Sequence, residues 1–166
     1  MRFLVVAVVC AVALVPRSAQ SQGDDEDTRL TLKGIRAVHV RPLVTAPPLL
    51  RGGINDVNVR TDVELELRRA GIGVLTEAQW QLALGRPRLV MLVDGFDDGG
   101  VIVYAVRAFL MQDATLLTNP ARAPHVSSWG VEHMGTVELG KVQTIRNGIR
   151  DKTRQFINAW LSVNPR

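Results

Sequence analysis

From Val142 onward, apolar residues return every three or four positions: Val142, Ile145, Ile149, Phe156 and Trp160, with Ile157 and Leu161 widening the stripe. That spacing predicts a helix of about 20 residues, stopped near Asn164-Pro165 because proline cannot continue it. Gly148 inside it costs about 1 kcal/mol against alanine. A second stretch, Ile54 to Ala70, fits two periods. Val57, Val59, Val63, Leu65 and Leu67 fall on odd positions, as in a strand, while Val59, Val63, Leu67 and Ala70 form a helical stripe. A capping box at Thr61-x-x-Glu64, the Glu64/Arg68 pair, and a cationic end before Gly71 decide for the helix.

The other apolar runs are short and rich in β-branched residues, which predicts strands over Leu32–Val44, Ile72–Leu75, Leu89–Val93, Val101–Leu110 and Val126–Val131. Pro42 and then Pro47-Pro48 end the first strand and open a loop to Gly52-Gly53. Thr76, with Gln79 three residues on, caps one further helical turn. Gly85-Arg86-Pro87, Asp94–Gly100 and Asn119–Pro124 read as turns. Together these elements predict an α+β fold: a mostly antiparallel sheet of about four to five strands, with two helices packed on one face to bury both stripes.

The amino-terminal pattern differs from the rest. Met1-Arg2 precedes an unbroken apolar run, Phe3 to Val15, and Pro16 and the small polar stretch Ser18–Ser21 follow. That order predicts a secretory signal peptide over residues 1–21, cut after Ser21, and the run is shorter than the about 20 residues of a membrane span. Cys10 stands mid-run after Val8-Val9, where lipidation requires a small residue nearby. Cleavage removes Arg2 and Arg17 and no acid, lowering the net charge from +4 to +2. It also removes the only cysteine, so the mature chain has neither disulfide nor thiolate chemistry. Asp24–Asp27 opens an acidic leader, residues 22–31, expected to carry no structure. Residues 32–166 then form a single domain within the 166-residue chain.

Catalytic signatures are absent. There is no Gly-x-Ser-x-Gly elbow, Walker loop or Gly-x-Gly-x-x-Gly fingerprint, and His39, His125 and His133 lack metal-ligand spacing. His125 and Ser127 share a strand side, but nothing beside them completes a triad, and edge-strand polarity explains them. No cofactor is expected. The Asp94, Asp97 and Asp98 carboxylates on one glycine-rich turn are the candidate divalent-cation ligands, although Asp and Gly also suit a hairpin turn. The final helix carries Lys141, Arg146, Arg150, Lys152 and Arg154 against Asp151 alone. Arg146, Arg150 and Arg154, at i,i+4 spacing, are the candidate partner contacts, since guanidinium rows meet phosphates or carboxylates. The same row also suits a solvated helix face. A chain with one tyrosine and no aromatic-basic interleaving is not expected to bind nucleic acid. Trp80, Trp129 and Trp160 are core or rim residues.

The order β-α-β-β-β-α, with Val63–Ile72 delivering a strand, resembles small exported bacterial envelope domains such as the lipopolysaccharide-assembly lipoprotein and the amino-terminal domain of the Tol–Pal propeller protein. The run Arg154–Pro165 resembles a group of uncharacterised exported bacterial proteins. The absence of a lipidated cysteine departs from the assembly lipoprotein. The resemblance implies a periplasmic or secreted, non-enzymatic binding or assembly module contacting an envelope protein or an anionic glycolipid. The alternative is a divalent-cation-dependent protein or enzyme using Asp94–Asp98.

Overall fold

The computed structural model describes residues 23–165, and the expected signal peptide lies outside them. The elements are α1 (Glu26–Leu30), β1 (Ala37–Val44), α2 (Pro47–Arg51), α3 (Asp56–Arg69), β2 (Gly73–Val74), α4 (Glu77–Leu82), β3 (Arg88–Asp98), β4 (Val101–Thr115), β5 (Arg122–Glu138) and α5 (Gln143–Val163), with a 3₁₀ turn at Leu139–Lys141 before the last. The strands form one five-stranded sheet in the order β2-β1-β3-β4-β5.

The α+β class is as expected, but the sheet is mixed rather than mostly antiparallel. β1 runs parallel to β2 and to β3, and only the β3–β4 and β4–β5 pairings are antiparallel. The cause is connectivity. A helix between two strands carries the chain back to its starting end, so β2 (after α3) and β3 (after α4) both run parallel to β1, which lies between them, whereas tight turns reverse direction.

α3 and α5 cover one face of this sheet. α3 begins earlier than its expected cap. Asn55 accepts the Asn58 N–H at 3.0 Å as N-cap, while Thr61 sits inside the helix with its hydroxyl donating to the Val57 carbonyl at 2.9 Å. A threonine one turn into a helix can share the carbonyl four residues back with the backbone N–H, so its hydroxyl donates there and does not cap. The helix ends as expected: Gly71 takes φ +77°, and the Ile72 N–H returns to the Leu67 carbonyl. Val59, Val63 and Leu67 face the sheet, as do Ile145, Ile149, Phe156 and Trp160 of α5, over Val38, Val40, Met91, Val106 and Leu110.

Three local expectations are corrected. Pro42 lies within β1, because its missing N–H falls on the side where β2 is only two residues long. The expected loop after β1 contains α2, with proline at its first turn, where no N–H is required. The acidic leader is structured. Asp25 caps α1 in a reciprocal box with Thr28, and Asp24 accepts from Arg29 at 2.7 Å and from the Trp129 indole at 3.0 Å. The carboxylates are consumed as caps and anchors, so their mutual repulsion does not keep the segment in solvent.

Among the described residues, helix covers the opposite face of the sheet only at one end. There Trp80 of α4 lies over Arg88, whose guanidinium is 3.6 Å from the ring centroid, and beside His39 and His125. Glu77 reaches both His39 Nε2 at 3.1 Å and Arg88 at 3.3 Å, which pins α4 across β1 and β3. The expected Thr76–Gln79 capping box is present.

Candidate functional site: a basic groove between two helices

α3 and α5 lie side by side, and a groove of about 300 Å³ runs between them. Its floor is Val63 and Ile149, the packed stripes of the two helices. Its walls bring Arg69 from α3 together with Arg146, Arg150 and Arg154 from α5, facing only two carboxylates, Asp62 and Glu66. The three expected contact residues therefore line one depression.

They are not equivalent. Arg146 donates to Asp62 through Nη2 at 2.6 Å and Nε at 3.2 Å, and Arg69 reaches Glu66 at 3.4 Å. Those pairs neutralise both acids of the groove. Arg150 and Arg154 are exposed, and no carboxylate among the described residues lies within ion-pair distance of either. Two like charges one helical turn apart repel, and an incoming anion relieves that repulsion by accepting from both.

The remaining cations of the expected basic face are accounted for elsewhere. Lys141 pairs with Glu138 at 3.0 Å. Lys152 is buried, with Nζ 3.1 Å from the Gln155 amide oxygen, and burial pushes its ammonium pKa below the ordinary value. Sequence reasoning missed Arg69 and Glu66 as groove residues, because their place depends on how α3 docks against α5. The helical stripes of both elements show only which faces turn inward.

The candidate cation ligands do not come together. Asp94, Asp97 and Asp98 lie on β3, not on a shared turn, and the turn itself is Gly99-Gly100, both with positive φ. A two-residue turn of that kind leaves the aspartates in the ladder, where alternation sends Asp97 to the face opposite Asp94 and Asp98. Asp94 pairs with Arg107, which also holds Glu132 at 2.9 Å, and Asp97 accepts the Gly100 N–H at 2.8 Å. No grouping of three or more metal-ligating side chains occurs among the described residues. Millimolar calcium is accordingly expected to leave the melting temperature unchanged, and a rise of several degrees would contradict this geometry.

His125 and Ser127 are likewise not assembled for catalysis. His125 has φ +55°, which breaks the strand alternation that placed the two on one side, and its ring stacks near Trp80. The neighbouring Ser128 hydroxyl accepts from Gln112 at 2.9 Å.

Comparison with protein-family models, curated proteins and solved structures found no match. Fold and site thus define a class in physical terms: an α+β domain with a guanidinium-lined groove between its two main helices. No helix of the described residues is long and apolar enough to cross a membrane.

Proposed function

We propose that this chain is an exported, non-enzymatic binding module of the bacterial cell envelope, and that its α3/α5 groove takes an anionic group of an envelope glycolipid. One observation carries the reading. Arg150 and Arg154 stand exposed and, among the described residues, without acidic partners on the rim of a groove whose other two arginines are already paired. A phosphate or carboxylate fits there, because guanidinium forks match planar or tetrahedral oxygen groups and hold them by charge-assisted hydrogen bonds. The apolar-then-polar amino terminus supports export.

The test is co-sedimentation with phosphatidylcholine vesicles containing an anionic phospholipid, comparing the unmodified protein with Arg150→Glu/Arg154→Glu. Each basic residue near an anionic surface contributes about 1 kcal/mol, so the double reversal is expected to lower partitioning by at least about thirtyfold. Both side chains are exposed, so folding is retained. Equal partitioning of the two proteins would remove the groove as the contact. Failure of the unmodified protein to bind any anionic vesicle would remove the lipid reading.

A further inference from the structure

The two edges of the sheet are finished differently. At the β1 edge, β2 supplies a partner only at Ala37 and Val38. Beyond it, Pro42 has no N–H to offer, and the Val44 N–H is taken by the Asp56 carboxylate at 2.8 Å. That edge is blunted.

At the other edge, the first half of β5 is also protected. It contains Pro124, the positive φ of His125 and two register breaks against β4, and the outward Gly130 N–H is bound by the Gly23 carbonyl at 3.2 Å. Among the described residues, the second half has no such protection. From Val131 to Glu138 the pairing with β4 is regular and contains no proline or bulge. Because Gly130 points its N–H away from β4, alternation turns the backbone N–H and C=O of Glu132, Met134 and Thr136 outward as well. No loop or terminal segment among the described residues bonds to these groups.

We propose that this bare half of β5 pairs antiparallel with the same half of a second copy of the chain, across a two-fold axis at Met134. The residues select that register. Centring on Met134 sets Glu132 opposite Thr136 and Met134 opposite itself, so all three outward positions find partners and exchange about six hydrogen bonds. A shift in one direction places Glu132 against Glu132, and in the other it places Glu132 against Glu138, both like-charge pairs. An intermediate shift sends Thr136 to Gly130, whose N–H is already taken by Gly23. Met134 is 65% exposed and Phe96 59%, beside a shallow, largely apolar depression formed with Val103 and Ala105. The two-fold axis brings these patches together on the uncovered face, which burial favours.

Sedimentation equilibrium over micromolar concentrations tests the pairing. The unmodified chain is expected to dimerise, and Met134→Glu, which sets two carboxylates across the axis, is expected to weaken the dimer roughly tenfold or more. In a Cys10→Ser background, Met134→Cys is expected to form an intermolecular disulfide on mild oxidation, since directly opposed strand residues lie within bridging distance. Retention of the far-ultraviolet circular dichroism shows that each variant is folded. A monomer at all concentrations overturns the proposal, including one that captures an extended peptide from another protein. So does a dimer that is indifferent to Met134→Glu and fails to cross-link.

Discussion

Trp129→Ala is expected to lower the free energy of unfolding by about 4 kcal/mol, within the range for removing a fully buried large aromatic side chain. Trp129 is 1% exposed, and its ring meets Phe156 of α5 edge-on at a centroid distance of 5.3 Å. Its loss opens a cavity between β5 and the long helix, where the ring fills the space against Phe156. The indole N–H also donates to Asp24, so the same side chain anchors the amino-terminal segment that carries α1. Trp129→Phe separates the two roles. It keeps most of the buried area but drops the donor and should cost about 2 kcal/mol. Faster amide exchange is then expected in residues 24–31 but not in the sheet. Urea unfolding measures both variants, and a loss under 1 kcal/mol for Trp129→Ala would show that this contact does not hold the layers together.

The second large effect lies at Asp113, on the uncovered face near the end of β4. Its side chain is 6% exposed and accepts from Arg86 Nε at 2.8 Å and Nη2 at 3.2 Å, from Arg122, and from the His125 N–H at 3.2 Å. The bond from Arg86, helped by Arg122 and the His125 amide and opposed by burial, holds the Asp113 carboxyl well below the usual carboxylate range. A depressed folded-state pKa means that the unfolded chain takes up its proton first. This contribution to stability is therefore complete above the ordinary value of 3.8 and is lost as pH falls from there toward the folded pKa. Removing one partner of a buried pair costs about 3–5 kcal/mol. Arg122 is largely solvated, however, so solvent screening brings the expected cost of Asp113→Asn at neutral pH nearer about 2 kcal/mol. Below pH 4 the unmodified protein should lose stability more steeply than the variant, so the gap between them narrows. Thermal melts at pH 7 and pH 3 check this, and a gap that widened on acidification would reverse the sign.

Asp113 also shows why part of the structure was hidden from pattern reading. Arg86, Asp113, Arg122 and His125 come from a loop and two strand ends, and nothing in their spacing pairs them. The same holds for Asp24 and Trp129, which are far apart in sequence. A negative run by itself suggests a solvated leader, although Asp25 and Thr28 stand at the spacing of a capping box. The aspartates of β3 misled in the opposite way. Asp and Gly suit a turn anywhere, but only Gly99-Gly100 takes the backbone angles that a two-residue connection requires, so the carboxylates remained in the ladder.

What the amino acids determined locally is what short-range chemistry controls. The 3.6-residue stripe and terminal Asn164-Pro165 set α5, the Thr76–Gln79 box set α4, and Gly71 ended α3. The arginine spacing placed Arg146, Arg150 and Arg154 along one side of α5. Only the tertiary structure decided that β1 has parallel neighbours, that Asp62 occupies Arg146 while Arg150 and Arg154 find no carboxylate among the described residues, and that none of those residues covers half of β5. The physical reason is range. Caps, stripes and turns are satisfied within a few residues along the chain, whereas strand order, ion-pair assignment and open edges depend on which distant segments pack together.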